Sequence, residues 1–217
     1  LIAIIDYGVG NLRSLEKAFA ASENEVVISG DPGLLNQATA LVLPGVGAFA
    51  ACMNGLRENG LDQLVLNRVS QGIPLLGVCV GMQMLFEESE EFGHCAGLGL
   101  MPGRVRRFGD DLTVPQVGWN QVMRTRTHPL LEGIMDHAFF YFVHSYYCEV
   151  TDAELVLGET DYGNRYASVV ARGDICGVQF HPEKSQSEGL RLLQNFAAWT
   201  KRKSDLESLP TSLAKQS

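Results

Sequence analysis

One cysteine stands between two glycines in the stretch Gly77-Val78-Cys79-Val80-Gly81. An apolar run leads into it, and residues of helical character follow at once. The form is G-x-nucleophile-x-G, with a thiol in place of a hydroxyl. In such an elbow a sharp strand-to-helix turn lifts the reactive atom above a sheet edge. The flanking residues must be small because strand and helix press together there. N–H groups at the helix start favour the thiolate, which is the attacking species. The competing reading is an inert buried cysteine between two turn glycines.

A nucleophile needs a base. His181, one of five histidines, closes the apolar run of "ICGVQFHPE", and Pro182 ends that strand immediately. Glu183 follows two residues later. A carboxylate there can hold one imidazole nitrogen while the other faces the thiol. Cys79, His181 and Glu183 can thus fill the three roles of a triad. An acyl-transfer site also needs donors for an oxyanion. The N–H of Val80, next after the nucleophile, is one. The loop Gly45-Val46-Gly47, which follows the apolar "TALVLP", offers the second through Val46.

These segments need a frame. Strands are expected at residues 1–5, 24–29, 39–45 and 73–78. Helices are expected at 12–21, 30–38 (short, after a turn), 49–59, 61–70 and 80–88. Continuously apolar strands alternating with helices imply an α/β fold with a mostly parallel central sheet, flanked by helices on both faces. After about Gly97 the rhythm changes to successive strands, at 103–109, 113–123, 137–150, 154–163, 166–174 and 175–183. Turn signals such as Gly163-Asn164 and Gly173-Asp174 separate them. They would extend the first sheet with antiparallel strands or form a second sheet packed on it. A last helix is expected at 187–203. One domain is expected over residues 1–203, with a polar, mobile tail at 204–217.

Composition narrows the function. The chain has 217 residues and a net charge of −8, which argues against a nucleic-acid partner. No apolar run is long enough to span a bilayer, and no signal peptide is expected. The five cysteines are odd in number and irregular in spacing, without C-x-x-C, so neither a disulfide framework nor a zinc site is expected. His94 and Cys95 are adjacent, but a pair without further ligands is a poor metal site. A reduced, cytoplasmic protein without metal or cofactor is the expectation.

Taken in order, "PGVGAF", "GVCVGMQMLFEES", "VHSYY" and "GVQFHPEKS" resemble the class I (triad) glutamine amidotransferases, over essentially residues 1–203. "DYGVGN", "VGWN" and Lys184 are most similar to those glutaminase chains of the family that work with a (β/α)₈ cyclase in histidine biosynthesis. That cyclase makes imidazole glycerol phosphate and an aminoimidazole carboxamide ribotide. The family often has leucine where this chain has Val80, but only the backbone N–H matters there.

The resemblance implies glutamine hydrolysis through a thioester on Cys79, with ammonia passed to the cyclase in a heterodimer. Gln83 would help hold the substrate, as would backbone groups of Gly47 and of His144-Ser145-Tyr146. One helical turn beyond Cys79, Gln83 can face the same pocket. His144 reads equally as a structural histidine. Asn11, Trp119, Tyr141 and Lys184 would border the partner and the ammonia passage, though Trp119 and Tyr141 could instead be core or sheet-face aromatics. The Val46 N–H would point away until the partner holds its own substrate.

Three rivals remain to be weighed. Gly8-x-Gly10 after the first strand hints at a dinucleotide fingerprint, but Arg13 stands where its third glycine belongs. The fold could instead carry another triad cysteine hydrolase, acting on γ-glutamyl or peptide bonds, or the glutaminase of a different synthase. A non-catalytic supporting subunit is disfavoured by the intact Cys79, His181 and Glu183.

Overall fold

The computed structural model describes residues 1–20 and 25–207. Its first part contains β1 (Ile2–Ile5), α1 (Leu12–Phe19), β2 (Val26–Ser29), α2 (Pro32–Gln37), β3 (Ala40–Gly45), α3 (Phe49–Glu58), α4 (Leu61–Ser70), β4 (Leu75–Cys79) and α5 (Val80–Gln83). Then come β5 (Phe86–Ser89), β6 (Cys95–Ala96), β7 (Met101–Arg107), β8 (Gln116–Arg124), β9 (Ala138–His144) and β10 (Tyr146–Val150). The chain closes with β11 (Val156–Asp161), β12 (Arg165–Arg172), β13 (Ile175–Val178) and α6 (Gln186–Glu207).

Every residue of β1, β3, β4 and β13 is buried. Such strands need cover on both faces, the condition of a parallel sheet between helix layers. The order β2-β1-β3-β4-β13 is parallel throughout. The chain steps one way from β1 to β2 and the other way from β2 to β3 and β4. Right-handed crossovers then put α1 on one face and α2 to α4 on the other. The packing agrees: α1 lies against α6, while α2 and α3 lie against α4.

The later strands continue this sheet. β12 pairs antiparallel with β13, β10 with β12, and β7 with β10, and β5 and β6 complete that edge. A side branch leaves through β11 to the β8–β9 ribbon. The run expected at 137–150 is broken at Ser145, where the chain leaves its β8 partner and joins β7 and β12.

The helix expected at 80–88 is corrected to one turn. Residues 80–86 are all buried, which no single helix stripe allows. From Phe86 the chain pairs with β7 instead, opposite Met101. At the other end α6 runs on to Glu207, past the boundary expected at 203. Residues 208–217, the rest of the expected tail, lie outside the described residues.

Close backbone approach holds the centre of the sheet. A Cβ on Gly81 would lie 1.9 Å from the Leu43 carbonyl oxygen, and one on Gly77 would lie 2.6 Å from that of Gly81. Both obstacles are backbone, which cannot swing aside. Gly81→Ala is therefore expected to cost about 3 kcal/mol of folding stability in urea unfolding, the upper range for overpacking. An unchanged midpoint would contradict this packing.

Candidate functional site

A parallel sheet ends its strands on one edge, and here β1, β3, β4 and β13 all end together. Gly45 lies opposite Cys79 across β3 and β4, and Val178 lies opposite Val78 across β13 and β4. Three residues past Val178 stands His181. Side chains far apart in sequence thus meet at one rim.

Cys79 occupies φ 56°, ψ −115°, a conformation costly for any residue with a side chain. The turn is what lifts the sulfur out of the sheet plane. Cys79 is nearly buried, and its thiol lies close enough to His181 to act on the charge of that ring. The Gln179 amide reaches the sulfur at 3.9 Å. His181 Nδ1 donates to Glu183 Oε1 at 2.8 Å, with both side chains buried. Burial opposes charge on this ring, yet hydrogen bonds and charge from Cys79 and Glu183 outweigh it and raise the pKa well above the ordinary histidine range.

His181 is held from several sides. Its N–H donates to the Tyr141 carbonyl at 2.9 Å, and the Ser185 hydroxyl donates to its carbonyl at 2.6 Å. The preceding Phe180 stacks on Phe140 of β9 with ring centroids 4.0 Å apart. Pro182 then opens the turn Pro182–Lys184, which brings the Glu183 carboxylate back under the ring.

A cavity of about 350 Å³ opens beside the sulfur. Cys79, Val80, Gln83, Val46, Gly47, His144, Ser145, Tyr146, His181 and Lys184 all line it. Glu183 sits behind His181. Asn11 lies on that far side too, in a small recess shared with Gly45, Val46 and Glu183. Trp119 and Tyr141 face each other across β8 and β9, edge to face at 6.0 Å, and the Lys184 ammonium lies 5.8 Å from the Tyr141 ring centre. Trp119 is 46% exposed, so it is not a core residue.

Gln83 donates both amide hydrogens inside the protein, to Tyr146 O at 3.0 Å and Gln179 Oε1 at 3.1 Å. Its carbonyl oxygen is what remains to offer a ligand. His144 is likewise committed. Its Nδ1 donates to Tyr146 O at 2.8 Å, and its Nε2 lies 3.2 Å from the Tyr166 hydroxyl, which itself donates to Gln116 Oε1. Burial, reinforced by the charge of His181, lowers its pKa to about 4. His144 and Gln83 therefore converge on one carbonyl and fix the Ser145–Tyr146 wall.

Two groups at the site escaped the sequence reading. Glu91 is buried at the cavity wall and accepts the Phe49 N–H at 2.6 Å. Its acidic neighbours at 87, 88 and 90 gave it no distinguishing mark. Gln179 is fully buried between Cys79 and Gln83. A lone amide in the apolar run "ICGVQF" was the available signal. Among the described residues no group of three or more His, Cys, Asp or Glu could hold a metal ion. Nor is any helix among them long and apolar enough to cross a membrane.

The chain matches the family model "Glutamine amidotransferase class-I" over residues 3–199. It is 50% identical over 205 residues to a Salinibacter ruber protein named imidazole glycerol phosphate synthase subunit HisH, covering 91% of this chain and 94% of that one. A Chromobacterium violaceum protein of the same name is 49% identical over 208 residues, covering 91% and 97%. A Desulfitobacterium hafniense one is 46% identical over 208 residues, covering 96% and 99%. Among solved structures, one described as a glutamine amidotransferase superposes with a TM-score of 0.72 at 22% identity, covering 92% and 98%. The PurLQS structure from Thermotoga maritima gives 0.71 at 16% identity, covering 91% and 97%.

The pH dependence of stability tests the site's wiring. His144 has a folded pKa of about 4, below its unfolded value near 6.5. Its neutral form therefore stabilises the fold above pH 6.5, and that contribution is lost as pH falls from 6.5 to 4. The linked loss is roughly 3 kcal/mol. In urea unfolding at stepped pH, His144→Asn should flatten the wild-type curve in this window by about one proton. Identical slopes would contradict the assignment.

Proposed function

The chain belongs to the class-I glutamine amidotransferases, and from that premise we propose that it is the glutaminase subunit of an imidazole glycerol phosphate synthase. The observation that carries the reading is that His181, hydrogen-bonded to Glu183, faces the same cavity of amino-acid size as Cys79. The names of the relatives supply the pathway and the word subunit.

Glutamine enters with its side-chain amide at the sulfur. Its ammonium meets the Gln83 carbonyl oxygen and the Glu91 carboxylate, the acceptors left at the cavity wall. Backbone groups of Gly47 and of the Ser145–Tyr146 wall take its carboxylate. The Cys79 thiolate adds to the amide carbon, and the N–H groups of Val80 and Val46 receive the negative oxygen. His181 gives its proton to the leaving nitrogen, so ammonia departs and a thioester remains. Glu183 keeps the ring oriented and stabilises its charge. A water then loses a proton to His181 and adds to the thioester, which releases glutamate and restores the pair.

The ammonia must reach its acceptor before water protonates it, so a dry junction with the (β/α)₈ cyclase has a chemical purpose. Trp119, Tyr141, Lys184 and Asn11 border that junction in this reading. Exposed Val117 and Phe139 on the same ribbon add apolar surface for a partner. The Val46 N–H points away from the cavity until the cyclase binds its own substrate, which keeps idle hydrolysis low. A cytoplasmic setting is supported by five free thiols, which persist in reducing compartments.

Cys79→Ala should lower glutamine hydrolysis by at least about 10³-fold while the chain still co-purifies with the cyclase subunit. Retained hydrolysis would overturn the site, and wild-type chain that fails to bind any cyclase would overturn the partner. Cleavage of γ-glutamyl peptides by the wild type would favour a different hydrolase.

A further inference from the structure

Two buried side chains outside the cavity grip the strand end that bears the Val46 N–H. Tyr7, in the β1–α1 loop, donates its hydroxyl to the Pro44 carbonyl at 2.6 Å. Cys52, in the first turns of α3, donates its thiol to the Val46 carbonyl at 3.3 Å. Tyr7 and Cys52 also lie close enough to act on one another electrostatically. Each holds a different peptide: Pro44–Gly45 on one side, Val46–Gly47 on the other. The single peptide between them, Gly45–Val46, carries the N–H assigned to the oxyanion.

A peptide whose two neighbours are fixed can turn only between those anchors, so they decide where its N–H comes to rest once the cyclase has bound its substrate. The surroundings tighten the grip. A Cβ on Gly45 would lie 2.7 Å from the Gly81 nitrogen, so the loop already presses on the elbow. Downstream, the Phe49 N–H is tied to Glu91. Burial raises the pKa of both Tyr7 and Cys52, so each keeps the proton it donates. Neither residue is among those lining the cavity.

We propose that Tyr7 and Cys52 are positioning residues that set the tilt of the Gly45–Val46 peptide, and so aim the Val46 N–H at the substrate's developing oxyanion. The inference rests on the glutaminase reading. An aimed donor lowers the barrier to acyl transfer without strengthening glutamine binding in the ground state. It has no part in the intrinsic reactivity of the thiolate toward an alkylating agent, which develops no oxyanion.

Three variants separate these effects. Tyr7→Phe keeps the ring and loses the donor. Cys52→Val keeps bulk and loses the donor, whereas Cys52→Ser keeps a donor. Glutamine turnover is measured for each chain with the cyclase subunit and its substrate bound. In parallel, iodoacetamide alkylation of Cys79 is followed by peptide mapping. Tyr7→Phe and Cys52→Val should each lower kcat about tenfold, short of the loss from deleting an oxyanion donor, with KM within about twofold. Cys52→Ser should stay near wild type, and Cys79 alkylation should be unchanged throughout. Wild-type kcat in both Tyr7→Phe and Cys52→Val would overturn the inference. A fall in kcat matched by slower alkylation or a raised KM would also overturn it, because that is general loosening of the site. A wild-type complex that turns over no glutamine would overturn the glutaminase reading and the inference together.

Discussion

Parallel pairing of β3, β4 and β13 is the constraint on which the site depends. Parallel strands must finish on the same edge, so whatever follows each of them is delivered to one rim. Gly45 across from Cys79, and Val178 across from Val78, fix the relative heights of loop, thiol and imidazole. A slip of one residue in either pair would turn the side chains to the opposite face of the sheet. Burial at every position of β3, β4 and β13 penalises that slip, because both layers of helix packing would be lost together.

The elbow stores strain at the place where the chemistry is needed. Cys79 at positive φ costs on the order of 1–3 kcal/mol, and only surrounding structure can hold it there. That structure is the tight fit of Gly77, Gly81 and Gly45, whose missing side chains let three backbone segments touch. Buried polar groups complete the frame. Gln83 donates to Gln179 and, together with His144, to the Tyr146 carbonyl, which makes the cavity wall rigid. Tyr7 and Cys52 treat the opposite wall in the same way.

The parts written locally in the sequence are the ones that could be read from it. The thiol between Gly77 and Gly81, and His181 stopped by Pro182 with Glu183 after it, announce themselves by type and spacing. Unbroken apolar runs identify the buried strands. The length of α5 was not legible, because Met84, Leu85 and Phe86 suit a helix as well as a strand. The partner strand that decides the matter, β7, begins fifteen residues later, at Met101. Glu91 was hidden among exposed acids for the same reason: its burial comes from α3, which lies far away in sequence. The sequence leaves His144 open between a substrate contact and a structural histidine and places Gln83 at the substrate; which of their polar atoms turn inward, the ring nitrogens and the amide hydrogens, is decided by neighbours that only the fold supplies.

The central claim is covalent chemistry at one sulfur, and trapping the intermediate tests it most directly. The complex with the cyclase would be mixed with glutamine, quenched in acid within a turnover and mapped by mass spectrometry. The account predicts a glutamyl thioester on the peptide that contains Cys79, present during turnover and gone when glutamine is exhausted. Sustained turnover with no adduct on that peptide, or with the adduct on another cysteine, would contradict it.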